Sequence, residues 1–178
     1  MAPSDRWRAG LCVRLLEQTL QQIHANRVEG WPSRILANLG EAYLLAGRGC
    51  EASETAGVGL ELSRKHMERG HEAWCLRLLG EIASRGGRPK DAEIHLREAI
   101  ALAAALGMRP LLAHCHLGLA RLYRDTGDRA AAAEEDATAV RAGLRLGFPM
   151  QIPLVQFPLD NFLRWQWPRV GGTWRMPR

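Results

Sequence analysis

Few clusters in this chain carry residue types that could do chemistry, and the spacing of each argues against it. His114-Cys115-His116 brings nitrogen and sulfur ligands together. On a helix, neighbours point about 100° apart, so the two histidines diverge by about 200°. Chelation from one helix needs partners four positions apart, and position 118 is glycine where a second histidine would stand. Gly86-Gly87-Arg88-Pro89-Lys90 has the glycines and lysine of a phosphate loop. It lacks the Gly-x-x-x-x-Gly-Lys-Ser/Thr order, and Pro89 has no amide to donate. It reads as a turn, with Pro89 and Asp91 opening the next helix. Glu134 and Glu135 lie in an alanine-rich stretch where nothing apolar would raise a carboxyl pKa, so they read as a solvated face. No serine, histidine and acid set stands out for nucleophilic catalysis. The chain is expected to carry no catalytic residue, no metal and no cofactor, and to be no enzyme.

Composition narrows the setting. Cys12, Cys50, Cys75 and Cys115 stand singly, without a Cys-x-x-Cys pair, and read as small buried or half-buried apolar residues in a reducing compartment. The longest apolar stretch, Ala99 to Leu106, is far short of the roughly 18 residues of a membrane span. The first residues lack the basic head, apolar segment and cleavage site of a leader. A cytoplasmic location without membrane contact is expected. The net charge is +5, but positions 33–147 hold 16 basic and 15 acidic side chains. The surplus sits mainly in the tail, where Arg164, Arg169, Arg175 and Arg178 face Asp160 alone. A nucleic-acid partner would want a basic face on an ordered element, so none is expected.

The elements that position these residues recur at a fixed period. Leu39-Gly-Glu-Ala-Tyr43 with Gly47 returns as Leu79-Gly-Glu-Ile-Ala83 with Gly87, then as Leu119-Ala-Arg-Leu-Tyr123 with Gly127. Ala52, Ala92 and Ala132 follow each glycine by five positions. A constant stride of about 40 residues means a stack of similar units. Each unit reads as two antiparallel helices: 33–46 with 51–68, 72–84 with 91–106, and 109–125 with 129–146. Gly40 with Ala52, Gly80 with Ala92, and Ala120 with Ala132 let paired helices approach closely. Leu36, Leu39, Tyr43, Leu76, Leu79, Leu119 and Tyr123 are expected to fill the layers between. Gly70 is read as the end of the first unit; it stands closer to Gly107 than Gly107 does to Gly147, a slip absorbed in that loop. Ahead of the units, 5–27 sets Leu11, Leu15, Leu16, Leu20 and Ile23 at amphipathic spacing.

The Leu-Gly-x-x-Tyr-x-x-x-Gly pattern with its spaced alanine resembles the tetratricopeptide repeat, here in a long-helix form whose stride exceeds the usual unit of about 34 residues. The resemblance covers about 33–147, and the N-terminal helix looks like the second helix of a truncated preceding repeat. It implies an all-α fold, a right-handed solenoid of helix-turn-helix units. These would be 33–70, 71–108 and 109–147, between an N-terminal segment (1–32) and a Pro/Trp-rich tail (148–178). Gly70-His-Glu-Ala-Trp-Cys-Leu-Arg-Leu-Leu-Gly-Glu-Ile82 and Leu106-Gly-Met-Arg-Pro-Leu-Leu-Ala-His-Cys-His-Leu-Gly118 are similar to the C-terminal repeats of bacterial multidomain regulators. In those, a nucleotide-cyclase or DNA-binding module precedes a signalling ATPase. Ala120 and Asp136 depart from the family pattern, at positions usually glycine and a packed apolar residue, which bears on the tightness of the last unit.

In such a stack the first helices line a concave groove. By helical phase its lining is expected to be Arg34, Ala37, Asn38, Glu41 and Leu44, then Trp74, Arg77, Leu78, Glu81 and Arg85, then His114, Leu117, Arg121 and Arg124. Trp74 either anchors a partner or packs between neighbouring first helices. Some repeats of this family grip a terminal carboxylate through lysine and asparagine, and Ala37 and Glu41 stand in those slots, which disfavours that grip. The tail holds Pro149, Pro153, Pro158, Pro168 and Pro177 with Trp165, Trp167 and Trp174. It reads as a cap on the last unit, an anchor for a partner or membrane surface, or an altered terminus. The function expected is protein–protein interaction, the groove taking a peptide or helix, in a part or remnant of a signalling regulator. The alternative is a sensor fragment that binds a small ligand or an adjacent ATPase or cyclase module and modulates it.

Overall fold

The computed structural model describes residues 3–25 and 32–144, all within the unit Met1–Phe148. The second unit, Pro149–Arg178, which holds the Pro/Trp-rich tail expected to cap the last unit, anchor a partner or be an altered terminus, lies outside the described residues. The described chain is all-helical: α1 Pro3–Ala25, α2 Pro32–Leu45, α3 Gly49–Lys65, α4 Arg69–Arg85, α5 Pro89–Ala105, α6 Arg109–Thr126 and α7 Arg129–Leu144. None of these helices is long and apolar enough to cross a membrane.

Helix ends recur at half the period visible in the sequence. Left-handed backbone occurs at Gly47 (φ 79°), Met67 (59°), Gly87 (71°), Gly107 (66°) and Gly127 (89°). Each closes the same way. The amide of the residue after it reaches a carbonyl five positions back, as in Arg48→Tyr43 at 2.9 Å, Glu68→Ser63 at 2.8 Å and Met108→Ala103 at 2.8 Å. The left-handed residue bonds three back, as in Gly87→Ser84 at 3.1 Å. This pair satisfies carbonyls that a helix end would leave bare. The expected slip at Gly70 is therefore overturned. Met67 holds the stop position without a glycine, and Gly70 lies inside α4, where a Cβ would sit 3.8 Å from Met108 Sδ. No glycine marks this stop in the sequence, because backbone hydrogen bonding can hold an unbranched residue in this conformation at a cost of roughly 1–2 kcal/mol.

Contacts fix the directions. A Cβ on Gly40 would meet the Ala52 carbonyl at 3.3 Å, and one on Gly59 the Leu36 Cβ at 3.3 Å and the Ser33 carbonyl at 3.5 Å. Positions rise on α2 as they fall on α3, so the pair is antiparallel. Gly80 meets Ala92 and Leu96, while Ala73 and Leu76 share a cluster with Ala99, Leu102 and Ala103, so α4 and α5 are antiparallel too. Between α2 and α4 both numbers rise together (Ser33 with His71, Gly40 with Leu78), so those helices are parallel. Trp74 with His114 and Glu81 with Arg121 give α4 and α6 the same relation. Each helix packs on its sequence neighbours, and α2–α4 and α4–α6 also touch.

The predicted small residues do lie at the crossings. Ala52, Ala92 and Ala120 are fully buried, and Leu39, Tyr43, Leu76 and Leu119 form the layers. Of the stripe expected on α1, Leu20 is buried and Leu16 packs against the core, but Val13 joins them, and Leu11 and Leu15 are 42% and 47% exposed. Among the described helices α1 packs mainly on α2, and a helix with one neighbour buries one narrow stripe. Cys75 and Cys115 are buried and Cys12 is half-buried, but Cys50 is exposed in the first turn of α3.

Candidate functional site

The parallel helices α2, α4 and α6 lie side by side and bring their side chains against one another. At the centre is Arg77. Its Nη2 donates to Glu41 Oε1 at 3.1 Å across to α2, and its Nη1 to Glu81 Oε2 at 3.0 Å one turn along α4. The guanidinium is 4% exposed, and its Nε has no protein partner. Burial alone would lower the Arg77 pKa, yet the two carboxylates outweigh it and raise it. Arg77 stays charged.

The carboxylates differ because their company differs. Burial pushes Glu41 above the usual carboxylate range against the pull of Arg77. Burial presses Glu81 the same way, but Arg77, Arg85 and Arg121 together hold it below that range. Arg85 Nη2 meets Glu81 Oε1 at 2.7 Å, and Arg121 Nη1 approaches the same oxygen at 3.9 Å. Three guanidinium groups thus converge on one carboxylate.

Trp74 packs against the core cluster of Leu76, Leu111 and Cys115. It is half-buried, its ring 5.3 Å from the Arg77 guanidinium carbon and 6.1 Å from the His114 ring. His114 is half-buried too. Burial first, then Arg77 and Arg121, bring its pKa down to about 4, with Glu81 opposing.

The predicted groove residues separate by depth. Arg34, Arg85, Arg121 and Arg124 are exposed. Asn38, Glu41, Trp74, Glu81, His114 and Leu117 are partly exposed. Arg77 is a correction, since it lies beneath the surface in its ion pairs and presents nothing to a partner. Ala37, Leu44 and Leu78 are buried as well. Helical phase fixes the direction of a side chain but not its depth. Arg77 stands one period from Ala37 and Leu117, a slot that neighbouring units fill with apolar residues. Arg124 turns to α7, where its Nη1 meets Asp136 Oδ2 at 2.5 Å. That ion pair accounts for the polar residue at 136.

The structure also joins residues that the sequence left apart. Ser33 Oγ donates to Glu68 Oε2, and His71 Nδ1 lies 3.3 Å from both oxygens. A nucleophilic relay needs acid and hydroxyl on opposite ring nitrogens. Here both meet Nδ1, Ser33 is fully buried, and its hydroxyl bonds straight to the carboxylate. The cluster ties the start of α2 to the α3–α4 turn. Its only trace in the sequence is the offset from 33 to 71, close to one period. His116 Nδ1 contacts Glu135 Oε2 at 2.5 Å, so Glu135 is half-buried in the α6–α7 contact and not on a solvated face. Among the described residues, no group of three or more His, Cys, Asp or Glu could hold a metal ion. No protein-family model matches the chain, and no curated protein matches it.

Proposed function

We propose that the helical hairpins stack as a right-handed solenoid of the tetratricopeptide type, with α1 as the second helix of a truncated unit. In this reading the chain is a non-catalytic protein-interaction module of a bacterial signalling regulator. Its α2–α4–α6 face takes a peptide or helix from a partner. One observation carries the reading: these helices run parallel, α2 meeting α4 in pairs such as Glu41 with Arg77 and Ser33 with His71, and α4 meeting α6 in pairs one repeat apart. Trp74 therefore faces His114, Glu81 faces Arg121, and Arg77 reaches Glu41 across to α2. Side chains on parallel neighbouring helices suit an extended or helical segment laid across them. The half-buried Asn38 and Leu117 lie on the same helices.

The test is affinity purification from the native cell with mass spectrometry of what co-elutes. Asn38→Arg with Leu117→Arg places bulk on the face, and Glu54→Arg with Lys90→Glu alters the exposed sides of α3 and α5 as a control. Loss of partners from the first variant but not the second supports the face. Retention of every partner by the first overturns it.

A further inference from the structure

Charge on the described surface is sorted by helix, although the repeat region is nearly neutral in total. On α2, α4 and α6 the exposed charged residues are Arg34, Arg69, Arg85, Arg121 and Arg124 against Asp125 alone. On α3, α5 and α7 six exposed basic residues face five exposed acidic ones, so the imbalance belongs to one set of helices. Of the five arginines, Arg34 lies in the first turn of α2, away from Glu81, and two others are placed elsewhere. Arg124 pairs with Asp136, and Arg69 lines a shallow cleft with Arg64 and Glu98. Arg85 and Arg121 remain on the face, 49% and 54% exposed, both directed at Glu81 Oε1.

Depth matters as much as number. The acids of this site, Glu41 and Glu81, are only 17% and 15% exposed and are committed to Arg77 beneath. Water therefore meets guanidinium groups, with the carboxylates below them. Arg77, Arg85 and Arg121 against Glu41 and Glu81 leave one positive charge in excess. Arg121 reaches its carboxylate only at 3.9 Å, longer than a hydrogen bond. An added carboxylate would take paired donors from Arg85 and Arg121 and relieve that excess.

We infer that the partner segment received on the α2–α4–α6 face is acidic, and that one of its Asp or Glu side chains seats between Arg85 and Arg121 above Glu81. This deepens the interaction-module reading and rests on it. A polypeptide fits better than a nucleic acid, because a continuous phosphate backbone would run over the partly exposed Glu41 and Glu81, whereas a peptide can alternate acidic and neutral positions.

The experiment is fluorescence anisotropy on the full chain with a labelled, C-terminally amidated ten-residue peptide alternating Glu with Ala and Leu. A second peptide has Gln at every Glu position, and a single-stranded DNA 10-mer is the third probe. The Glu peptide is expected to bind at least ten-fold more tightly than the Gln peptide, and to weaken as salt rises. Arg85→Gln with Arg121→Gln should weaken it about ten-fold, with the thermal melt confirming an intact fold. Equal binding of the two peptides, no binding of the Glu peptide, no effect of the double variant, or tighter binding of DNA would each overturn the inference. The interaction-module reading would survive that result if Asn38→Arg with Leu117→Arg still released the native partners. It would fall separately if those partners stayed bound.

Discussion

Arg77 on α4 donates from Nη2 to Glu41 on α2 at 3.1 Å, joining helices whose paired residues stand 36 positions apart. The bond is buried, and the same guanidinium holds Glu81 on its own helix. Two carboxylates and one cation inside a helix-packing layer are tolerated because each charge has a partner at hydrogen-bond distance. Removing one member leaves the others worse off than an apolar core would be.

Arg77→Met should cost about 3–5 kcal/mol, the usual penalty for stranding buried charge. Adding Glu41→Leu should recover at least half of the loss, because Glu81 keeps Arg85 and Arg121 while the stranded Glu41 is gone. Urea unfolding of the single and double variants measures both. A single variant as stable as the parent would show that the pair contributes nothing.

Met67 should respond to glycine in the opposite sense to its counterparts. It is 79% exposed, so Met67→Gly loses little packing and relieves a left-handed φ of 59°. A gain of about 1 kcal/mol is expected, with a loss of about the same size for Gly107→Ala, which installs that strain. Thermal melts of the two variants should shift in opposite directions.

Two helical glycines should also diverge. A Cβ on Gly80 would lie 2.7 Å from Leu96 Cγ and 3.2 Å from the Ala92 carbonyl, so Gly80→Ala should destabilise by roughly 1–3 kcal/mol. Gly57 in α3 has nothing within 4 Å of such an atom. There Gly57→Ala should add up to about 1 kcal/mol through helix propensity. Unfolding free energies for the pair check the close crossing directly.

His114 links stability to pH. Its folded pKa of about 4 lies below the ordinary 6.5, so the unfolded chain binds the proton first as pH falls. Its contribution is complete above about 6.5 and is lost progressively towards 4. The parent should lose more stability than His114→Leu over pH 7 to 4.5. A constant difference between the two across that range would place His114 in water and not against Trp74.

The repeat period, the alternating helices and the close crossings at Gly40 and Gly80 were legible in the residues alone, because packing distance depends on side-chain size and turns on local backbone preference. The stop at Met67 was not legible, since its conformation is held by bonds to Ser63 and Arg64 carbonyls and not by residue type. Nor was the depth of Arg77, the cluster of Ser33 with Glu68 and His71, or the layering of arginine over glutamate. Each depends on contacts about one repeat apart, and periodicity assigns a side chain a direction without saying what meets it there. Only the parallel placement of α2, α4 and α6 decided which charges face each other and which face water.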